Sequence, residues 1–409
     1  MGNSPADASH LDQGHIVQHL QRLAVDDPEA AQRLGAAMAK VDWAELAAYE
    51  DPAAPSSLLE ARVVGDDERA RRQQSLCAVG EGCYRAGQVA VLVVAGGQGT
   101  RLGFDGPKGC FVIDEAAGTS IYELHAQQVA AASKRYGVAI PLLIMTSPHT
   151  DAPTRAFFAQ HDNFGLADDQ VRFFSQGTVP SLTIDGHALL AAPDRLLENP
   201  DGHGGCFTAL VDSGLLAELD ADGVQYILYL QVDNVLARAD DTFAIGLAAE
   251  DGLDAVTKVL PKRDPDERVG HLVRAVDADG NERDRIVEYT ELSAEDVRRT
   301  RDDGSLLFGW GNTAMHIWRV GYLQELVAFG LTLPLHRSKK PLKSWTADGE
   351  AVVDGYKCER FIFDLLLFTD ASAGLAVRRE NEFSPVKNAT GTDSPATARA
   401  ALKRATVGV

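Results

Sequence analysis

One stretch of the sequence limits what the chain can fold into more than any other. Residues 89–103 read V-A-V-L-V-V-A-G-G-Q-G-T-R-L-G, and Pro107-Lys108-Gly109 follows. An apolar run that ends in a glycine-dense loop is typical of a buried strand followed by a turn. Glycine backbone leaves N–H groups free to surround phosphates, and Arg101 and Lys108 add fixed positive charge. The stretch therefore predicts a nucleotide site, with phosphate chemistry on that nucleotide.

Two common phosphate-binding motifs do not fit this loop. A P-loop requires Gly-Lys-Ser/Thr at a fixed spacing, which is not found here. If Gly97 and Gly99 are the first two glycines of G-x-G-x-x-G, the position of the third glycine is occupied by Leu102, and Gly103 comes one residue too late. The same spacing disfavours a Rossmann dehydrogenase. A tight turn without a ligand remains the alternative.

Composition excludes several classes of partner. The chain has 409 residues, enough for two or three domains, and a net charge of −20. That charge argues against nucleic acid and anionic membranes as partners, although it can equally serve solubility. The sequence has no secretory signal pattern and no apolar run near the roughly 20 residues that span a bilayer. We expect a cytoplasmic protein that handles small molecules, and nothing implies a protein partner.

Apolar periodicity predicts three regions. Residues 1–85 form a helical N-terminal region with a polar segment that runs to about Arg72, and residues 331–409 form a small mixed C-terminal domain. In the central region, 86–330, strands are predicted at 89–95, 140–145, 171–174, 226–232 and 255–259, and helices at 122–136, 154–160, 206–221 and 243–250. This alternation predicts an α/β fold with a doubly wound, mostly parallel, Rossmann-like sheet.

The loops after the predicted strands are where a site is expected, because ligands bind beyond the carboxyl ends of strands in open α/β sheets. Asp233 follows the strand at 226–232, where a carboxylate suits Mg²⁺; the alternative is a helix N-cap. Gln176 follows the strand at 171–174, and its amide can donate and accept, as the edge of uracil requires. The alternative for Gln176 is capping of a turn.

Further polar residues occupy glycine-rich loops. His203 lies in Asn199-Pro-Asp-Gly-His-Gly-Gly205, which is typical either of a close backbone approach to a ligand or of a surface turn. Glu288 and Asn312 supply a carboxylate and an amide, which form paired hydrogen bonds with sugar diols, although each can also be structural. These residues are candidates for sugar binding.

In their order along nearly the whole chain, these motifs resemble the UDP-N-acetylglucosamine (UDP-N-acetylhexosamine) pyrophosphorylases of the UDP-sugar pyrophosphorylase family. The matching motifs are Val41-Asp42-Trp-Ala-Glu-Leu46, G-G-Q-G-T-R-L-G with P-K-G, Met145-Thr-Ser147, Gln176 with Pro180, P-D-G-x-G-G, Val232-Asp-Asn234, Val287-Glu-Tyr289, Gly311-Asn312, Lys357 with residues 361–364, and Glu382-Phe-Ser-Pro-Val-Lys-Asn388.

The resemblance implies a nucleotidyltransferase sheet and a uridylyltransferase. A sugar 1-phosphate, expected to be N-acetylglucosamine 1-phosphate, attacks the α-phosphorus of UTP in line with the help of Mg²⁺. The products are UDP-sugar and pyrophosphate. The implied roles are nucleotide binding by Ala95, Gly96, Gly97, Gly99, Gln176 and Gly202; catalysis by the cations Arg101, Lys108, Lys357 and Lys387; Mg²⁺ binding by Asp233; and sugar binding by His203, Glu288, Tyr289 and Asn312.

The chain departs from the pattern of the N-acetylhexosamine enzymes at one loop. Their typical P-D-G-N-G-G has His203 at its fourth position here, and UDP-glucose and broad-specificity UDP-sugar pyrophosphorylases carry Gly-His-Gly there. A UDP-glucose or broad UDP-sugar pyrophosphorylase is therefore the alternative. A non-catalytic nucleotide-sugar-binding protein is a more distant one, since Arg101, Lys108 and Asp233 are all present.

Overall fold

The computed structural model describes residues 13–49 and 55–407, so the first part of the predicted N-terminal region lies outside the described residues. The helices are, in chain order, α1 (Gly14–Asp26), α2 (Pro28–Met38), α3 (Trp43–Ala47), α4 (Asp66–Arg85), α5 (Ile121–Tyr136), α6 (Asp151–Gln160), α7 (Gly205–Asp212), α8 (Leu215–Ala221), α9 (Thr242–Glu250), α10 (Val320–Ala328), α11 (Arg379–Glu382) and α12 (Pro395–Val407). Short 3-10 helices cover Thr100–Leu102, Lys108–Cys110, Asp162–Gly165, Asp296–Arg298 and Ile362–Phe368.

The strands are, in chain order, β1 (Ser57–Leu59), β2 (Val63–Val64), β3 (Val89–Val94), β4 (Val112–Asp114), β5 (Thr119–Ser120), β6 (Leu142–Thr146), β7 (Val171–Ser175), β8 (Thr178–Pro180), β9 (Leu182–Thr183), β10 (Leu190–Ala192), β11 (Arg195–Leu196), β12 (Glu198–Pro200), β13 (Tyr226–Gln231), β14 (Ala255–Pro261), β15 (His271–Val276), β16 (Glu282–Val287), β17 (Trp310–Arg319), β18 (Leu335–Thr346), β19 (Gly349–Arg360) and β20 (Ser372–Ala376).

The described residues divide into two compact units. Unit 1 contains residues 13–49, 176–205 and 333–362, and unit 2 contains 55–175, 206–332 and 363–407. The units interleave along the chain, so they divide it differently from the three regions that the sequence predicts. The division into a helical N-terminal region at 1–85, a central catalytic domain at 86–330 and a C-terminal domain at 331–409 stays a prediction.

Unit 2 is built on one large mixed sheet, which confirms the α/β class. Its strand order is β2-β20-β14-β17-β13-β3-β6-β7, and β1, β15 and β16 extend it beside β17. The neighbours β13, β3, β6 and β7 are parallel, whereas β17 runs antiparallel to both β13 and β14. The apolar run at β3 is buried along all 6 residues, as expected of a strand that is covered on both faces.

Unit 1 is organised around a long β-hairpin. Strands β18 and β19 pair over their full length, from Leu335 opposite Arg360 to Thr346 opposite Gly349. They form the centre of a five-stranded sheet in the order β11-β10-β18-β19-β9. The helices α1 and α2 belong to the same unit and bury Ile16 and Leu34 in its core.

The polar segment of the N-terminal region is part of a helix, and one predicted helix of the central region is divided. The residues before Arg72 form the start of α4, whose first turn carries Asp66, Asp67 and Glu68. Acidic side chains stabilise the positive end of a helix dipole, so a polar first turn starts this helix. The helix predicted at 206–221 is two helices, because Gly214 adopts a left-handed φ of 77° between α7 and α8.

The remaining predicted strands and helices of the central region have counterparts in the structure, with ends shifted by a few residues. Within 13–49 and 55–407, no helix combines the length and the low polarity that crossing a bilayer requires.

Candidate functional site

The glycine loop of unit 2 lies where the strand order of the sheet reverses. From β3 the chain continues on one side to β6 and β7, and it then returns to β13 on the other side of β3. Because β3 and β13 are parallel neighbours, the loops that follow them leave the same edge of the sheet. Ligands of open α/β sheets bind in the crevice at such a reversal.

Three successive backbone N–H groups in this loop have no hydrogen-bond acceptor in the described part of the chain. They belong to Gly96, Gly97 and Gln98. The flanking amides are paired, since Ala95 donates to the Met145 carbonyl at 2.8 Å and Gly99 donates to the Gly106 carbonyl at 2.9 Å. Free amide donors grouped in this way suit an anion such as a phosphate.

Gly97 and Gly99 are glycines for different reasons. A Cβ atom on Gly99 would lie 2.7 Å from Cδ1 of Phe104 and 3.1 Å from its carbonyl oxygen, whereas a Cβ on Gly97 would meet nothing within 4 Å. Gly99 must be small because the loop packs Phe104 against it. At Gly97 the absence of a side chain leaves open space on the surface of the loop.

We therefore expect Gly99→Ala to lower the free energy of unfolding by about 1–3 kcal/mol, because the added methyl group is overpacked. Gly97→Ala is the matched control and is expected to change it by less than about 0.5 kcal/mol. Urea unfolding of both variants measures the difference. Equal destabilisation of the two would contradict this account of the loop.

A cation and a carboxylate meet beside the loop. The Lys108 ammonium nitrogen lies 3.3 Å from Oδ2 of Asp233, and the two side chains are 18% and 16% exposed. The backbone N–H of Lys108 donates to the Gly97 carbonyl at 3.1 Å, which ties this residue to the loop. Asp233 comes shortly after β13. The structure therefore brings together two of the predicted site residues, Lys108 and Asp233.

A C-terminal segment is held against the same place. The buried Asn234 amide donates to the Glu382 carbonyl at 2.8 Å, and its oxygen accepts the Ser384 N–H at 2.8 Å. The Val386 N–H donates to the Asp233 carbonyl at 2.9 Å, which places Lys387 one residue beyond this contact. The half-buried Lys387 forms no ion pair with any carboxylate in the described chain. Arg101 on the glycine loop is exposed.

Glu288 and Asn312 both lie next to Gly270. The Asn312 N–H donates to the Gly270 carbonyl at 2.8 Å, and Oε1 of Glu288 would be 3.2 Å from a Cβ on Gly270. Tyr289 beside them is 42% exposed. The structure thus places two of the candidates for sugar binding in unit 2, Glu288 and Asn312, next to the same residue.

Sequence reasoning missed a cation near this pair. The Lys262 ammonium donates to Nε2 of His271 at 2.9 Å, and Nδ1 of the same ring donates to the Phe308 carbonyl at 2.8 Å. Burial lowers the pKa of both Lys262 and His271. The signal in the sequence was the position of Lys262 directly after the apolar strand β14.

Two of the predicted residues of unit 1, His203 and Gly202, lie next to the carboxyl end of β19. Nδ1 of His203 accepts the Ile362 N–H at 3.1 Å, and its ring stacks on Phe361 with centroids 5.3 Å apart. Burial lowers the pKa of His203 to about 4, so the ring is neutral near pH 7 and carries its proton on Nε2. Gly202 has a φ of 89°, and a Cβ there would lie 2.5 Å from the Arg360 carbonyl.

The other two predicted residues of unit 1 are Gln176 and Lys357. Gln176 is buried. Lys357 forms an ion pair with Glu359 along β19. Glu359 lies next to Gly202, because a Cβ on Gly202 would be 2.9 Å from Cβ of Glu359. The contacts of His203 and Gly202 hold the loop in place, and their roles toward a ligand stay predictions.

Asp201, beside this loop, was also missed by the sequence analysis. It is 4% exposed, its Oδ1 has no hydrogen-bond partner within the described residues, and its Oδ2 lies 3.9 Å from the Arg360 guanidinium. Burial raises the pKa of Asp201 to about 6, although Arg360 opposes this effect. Because the pKa of this carboxyl group is raised in the folded protein, the free energy of unfolding depends on pH.

Because the folded pKa of Asp201 lies above its usual value of 3.8, its stabilising contribution is present below that value and is lost as the pH rises through about 6. A difference of this size corresponds to roughly 3 kcal/mol. We expect Asp201→Asn to gain stability relative to the wild type between about pH 4 and pH 7. Unfolding free energies of the variant and the wild type are measured at each pH, so that the effects of the other titrating groups cancel in their difference. If the stability of Asp201→Asn relative to the wild type stayed constant or fell as the pH rose, the prediction would be contradicted.

Comparison with known proteins identifies the family of the chain. The family model described as UTP–glucose-1-phosphate uridylyltransferase matches residues 39–392. UDP-N-acetylglucosamine diphosphorylase 2 of Arabidopsis thaliana is 37% identical over 78% of this chain and 65% of its own. UDP-N-acetylhexosamine pyrophosphorylase-like protein 1 of Homo sapiens is 37% identical over 77% of this chain and 64% of its own.

A solved structure is similar over most of the chain. The uridine diphosphate N-acetylglucosamine pyrophosphorylase of Trypanosoma brucei, in complex with inhibitor, superimposes with a TM-score of 0.80 at 31% identity, over 97% of this chain and 82% of that chain. The chain spans just under two thirds of the length of the Arabidopsis and human relatives.

Proposed function

Because the chain belongs to the UTP–glucose-1-phosphate uridylyltransferase family, we propose that it transfers the uridylyl group of UTP to a sugar 1-phosphate and releases pyrophosphate. N-acetylglucosamine 1-phosphate is the proposed acceptor, since the names of the Arabidopsis and Trypanosoma relatives specify that sugar. One observation in unit 2 carries the proposal. The free amides of the glycine loop and the Lys108–Asp233 pair lie in the loops after the neighbouring parallel strands β3 and β13.

In the proposed reaction, an oxygen of the sugar phosphate attacks the α-phosphorus of UTP. The bond from this phosphorus to the bridging oxygen of the β-phosphate breaks in line, and pyrophosphate leaves. Such transfers depend on positioning and charge neutralisation rather than on covalent intermediates. The N–H groups of Gly96, Gly97 and Gln98 bind phosphate oxygens, while Lys108 and Arg101 neutralise the charge that develops on pyrophosphate.

A divalent metal ion, proposed to be Mg²⁺, would supply further charge neutralisation on the phosphates. Within residues 13–49 and 55–407, no group of three or more His, Cys, Asp or Glu is arranged to hold an ion by itself. Mg²⁺ in nucleotide enzymes is usually held by one or two carboxylates together with substrate phosphates. A single carboxylate at Asp233, close to a phosphate-binding loop, fits this mode of binding.

The other residues keep the roles that the family resemblance implies. Gln176 and Gly202 contact uracil, and Ala95 and Gly99 bind the nucleotide as part of the glycine loop. The cations Lys357 and Lys387 bind phosphates. The sugar hydroxyls are bound by Glu288, Tyr289, Asn312 and His203.

We further propose that the sheet of unit 2 is a doubly wound nucleotidyltransferase sheet, and that the protein acts in the cytoplasm. Its partners are then its small-molecule substrates and products. With a net charge of −20, nucleic acid and anionic membranes are not expected as partners.

The identity of residue 203 tests the choice of sugar. Oδ1 of an asparagine can accept the Ile362 N–H in place of Nδ1 of His203, so His203→Asn should preserve the loop. We expect this variant to raise the ratio of kcat/KM for N-acetylglucosamine 1-phosphate over glucose 1-phosphate by about fivefold or more. His336→Asn, which also alters a histidine next to Phe361, is the control and should leave the ratio unchanged.

The measurement is pyrophosphate release with UTP, Mg²⁺ and the 1-phosphates of N-acetylglucosamine, N-acetylgalactosamine, glucose and galactose. A wild-type preference for glucose or galactose would favour the alternative, a UDP-glucose or broad UDP-sugar pyrophosphorylase, which the Gly-His-Gly sequence supports. An unchanged ratio in His203→Asn would mean that this residue does not select the sugar. No release with any sugar, despite stabilisation by UTP and Mg²⁺, would favour a nucleotide-sugar-binding protein.

A further inference from the structure

A lysine is fully buried in unit 2, near the candidate site. Lys258 lies in the middle of β14, its side chain is 0% exposed, and its ammonium is 2.6 Å from Oε2 of Glu382. The same ammonium forms an ion pair with the buried Asp241. Burial by itself lowers the pKa of Lys258, but the two carboxylates outweigh burial and raise the pKa above its usual value. The buried Lys258 ammonium thus forms ion pairs with two carboxylates, those of Asp241 and Glu382.

Glu382 is fixed at two points. Its side chain is bound by Lys258, and its carbonyl oxygen accepts the hydrogen bond from the Asn234 amide. The segment that begins at Glu382 then makes two more contacts with the site. The Ser384 N–H donates to the Asn234 side-chain oxygen, and the Val386 N–H donates to the Asp233 carbonyl. The position of Lys387 therefore depends on a segment that starts at a buried ion pair and passes alongside Asp233 and Asn234.

Asp241 provides a natural comparison. It has the same buried partner, Lys258, and a similar exposure to that of Glu382, but it caps α9 by accepting the Ala244 N–H at 3.0 Å. Its own N–H donates to the Tyr84 hydroxyl at 3.1 Å. None of these contacts involves the segment that carries Lys387.

We propose that Glu382 is a positioning residue, whose ion pair with Lys258 fixes the 382–387 segment and so the place of Lys387 next to Asp233. The inference rests on the proposed function for its catalytic consequence. The anchoring of the segment can be measured without substrate. The two hydrogen bonds with Asn234 hold only the main chain at Glu382 and Ser384, whereas the ion pair with Lys258 holds the side chain of Glu382, the last residue of α11.

The test compares Glu382→Gln with Asp241→Asn. Each variant neutralises one of the two carboxylates that pair with Lys258 and leaves the other ion pair in place. If both carboxylates served only the stability of the fold, the two variants would therefore have similar effects. We expect Glu382→Gln to lower kcat about tenfold or more while KM for UTP changes less than about threefold, because transition-state contacts are lost. Asp241→Asn should keep kcat within about threefold, since asparagine is also a good N-cap.

Hydrogen exchange gives a readout that is independent of turnover. In Glu382→Gln, the amide of Val386 should exchange about tenfold faster or more, whereas in Asp241→Asn it should be unchanged. If wild-type protein lacked transferase activity, the proposed function would fail, and the exchange rates would still decide whether Glu382 anchors the segment.

Glu382→Asp covers the case in which Glu382→Gln does not fold. It retains the charge but shortens the side chain by one methylene, so it separates the position of the segment from the charge balance at Lys258. We expect its kcat to fall as well. Wild-type kcat in Glu382→Asp, equal kcat losses in Glu382→Gln and Asp241→Asn, or unchanged Val386 exchange in Glu382→Gln would each overturn the proposal.

Discussion

Asp233→Asn is expected to lower turnover by about a thousandfold or more, the largest effect of any single substitution that the structure suggests. The carboxylate follows β13, lies 3.3 Å from the Lys108 ammonium, and has the chemistry needed to hold a metal ion on the substrate phosphates. Asparagine preserves the shape but removes the negative charge. Because the pair is partly exposed, the fold should lose no more than about 1 kcal/mol.

Steady-state turnover measured against Mg²⁺ concentration, together with thermal unfolding, checks this prediction. The matched control is Asp254→Asn. Asp254 pairs with Arg319 at 2.7 Å just before the amino end of β14, at the opposite edge of the sheet from the glycine loop. The Asp254→Asn variant should retain wild-type turnover. Near-wild-type turnover of Asp233→Asn at limiting Mg²⁺ would remove Asp233 from the metal site.

Lys108→Met is expected to lower turnover by about a hundredfold or more, because a fixed positive charge at the reacting phosphates is lost. The side chain is only 18% exposed, and its backbone N–H would still donate to the Gly97 carbonyl, so the loop should keep its conformation. Asp233 would lose its partner but stay partly solvated.

Pyrophosphate release under saturating substrates measures this effect. Lys134→Met, at an exposed position in the last turn of α5, is the control and should behave as the wild type. A loss below about threefold in Lys108→Met would show that this ammonium does not act on the transferring phosphates.

The residues that sequence reasoning placed well are those governed by strand polarity. The apolar run of β3 and the position of Asp233 after β13 were enough to predict that Asp233 and the glycine loop share one edge of the sheet. Lys108 and Asp233 are 125 residues apart in sequence, yet the parallel pairing of β3 and β13 brings their loops together.

Other contacts depend on tertiary packing that no local pattern encodes. His203 interacts with the Ile362 N–H, 159 residues away, and a loop histidine gives no sign of such a partner. Lys258 resembles any other lysine in a strand until Asp241 and Glu382 are seen on either side of it. The break between α7 and α8 rests on the single left-handed residue Gly214. The individual roles of the site residues stay predictions.

The central claim, uridylyl transfer, is tested most directly with UTP that carries a radioactive label in its α-phosphate. Incubated with Mg²⁺ and N-acetylglucosamine 1-phosphate, the protein should move the label into UDP-N-acetylglucosamine and leave the released pyrophosphate unlabelled. Transfer should require the sugar 1-phosphate. Label that stays in UTP, or appears in UMP whether or not the sugar 1-phosphate is present, would contradict the account.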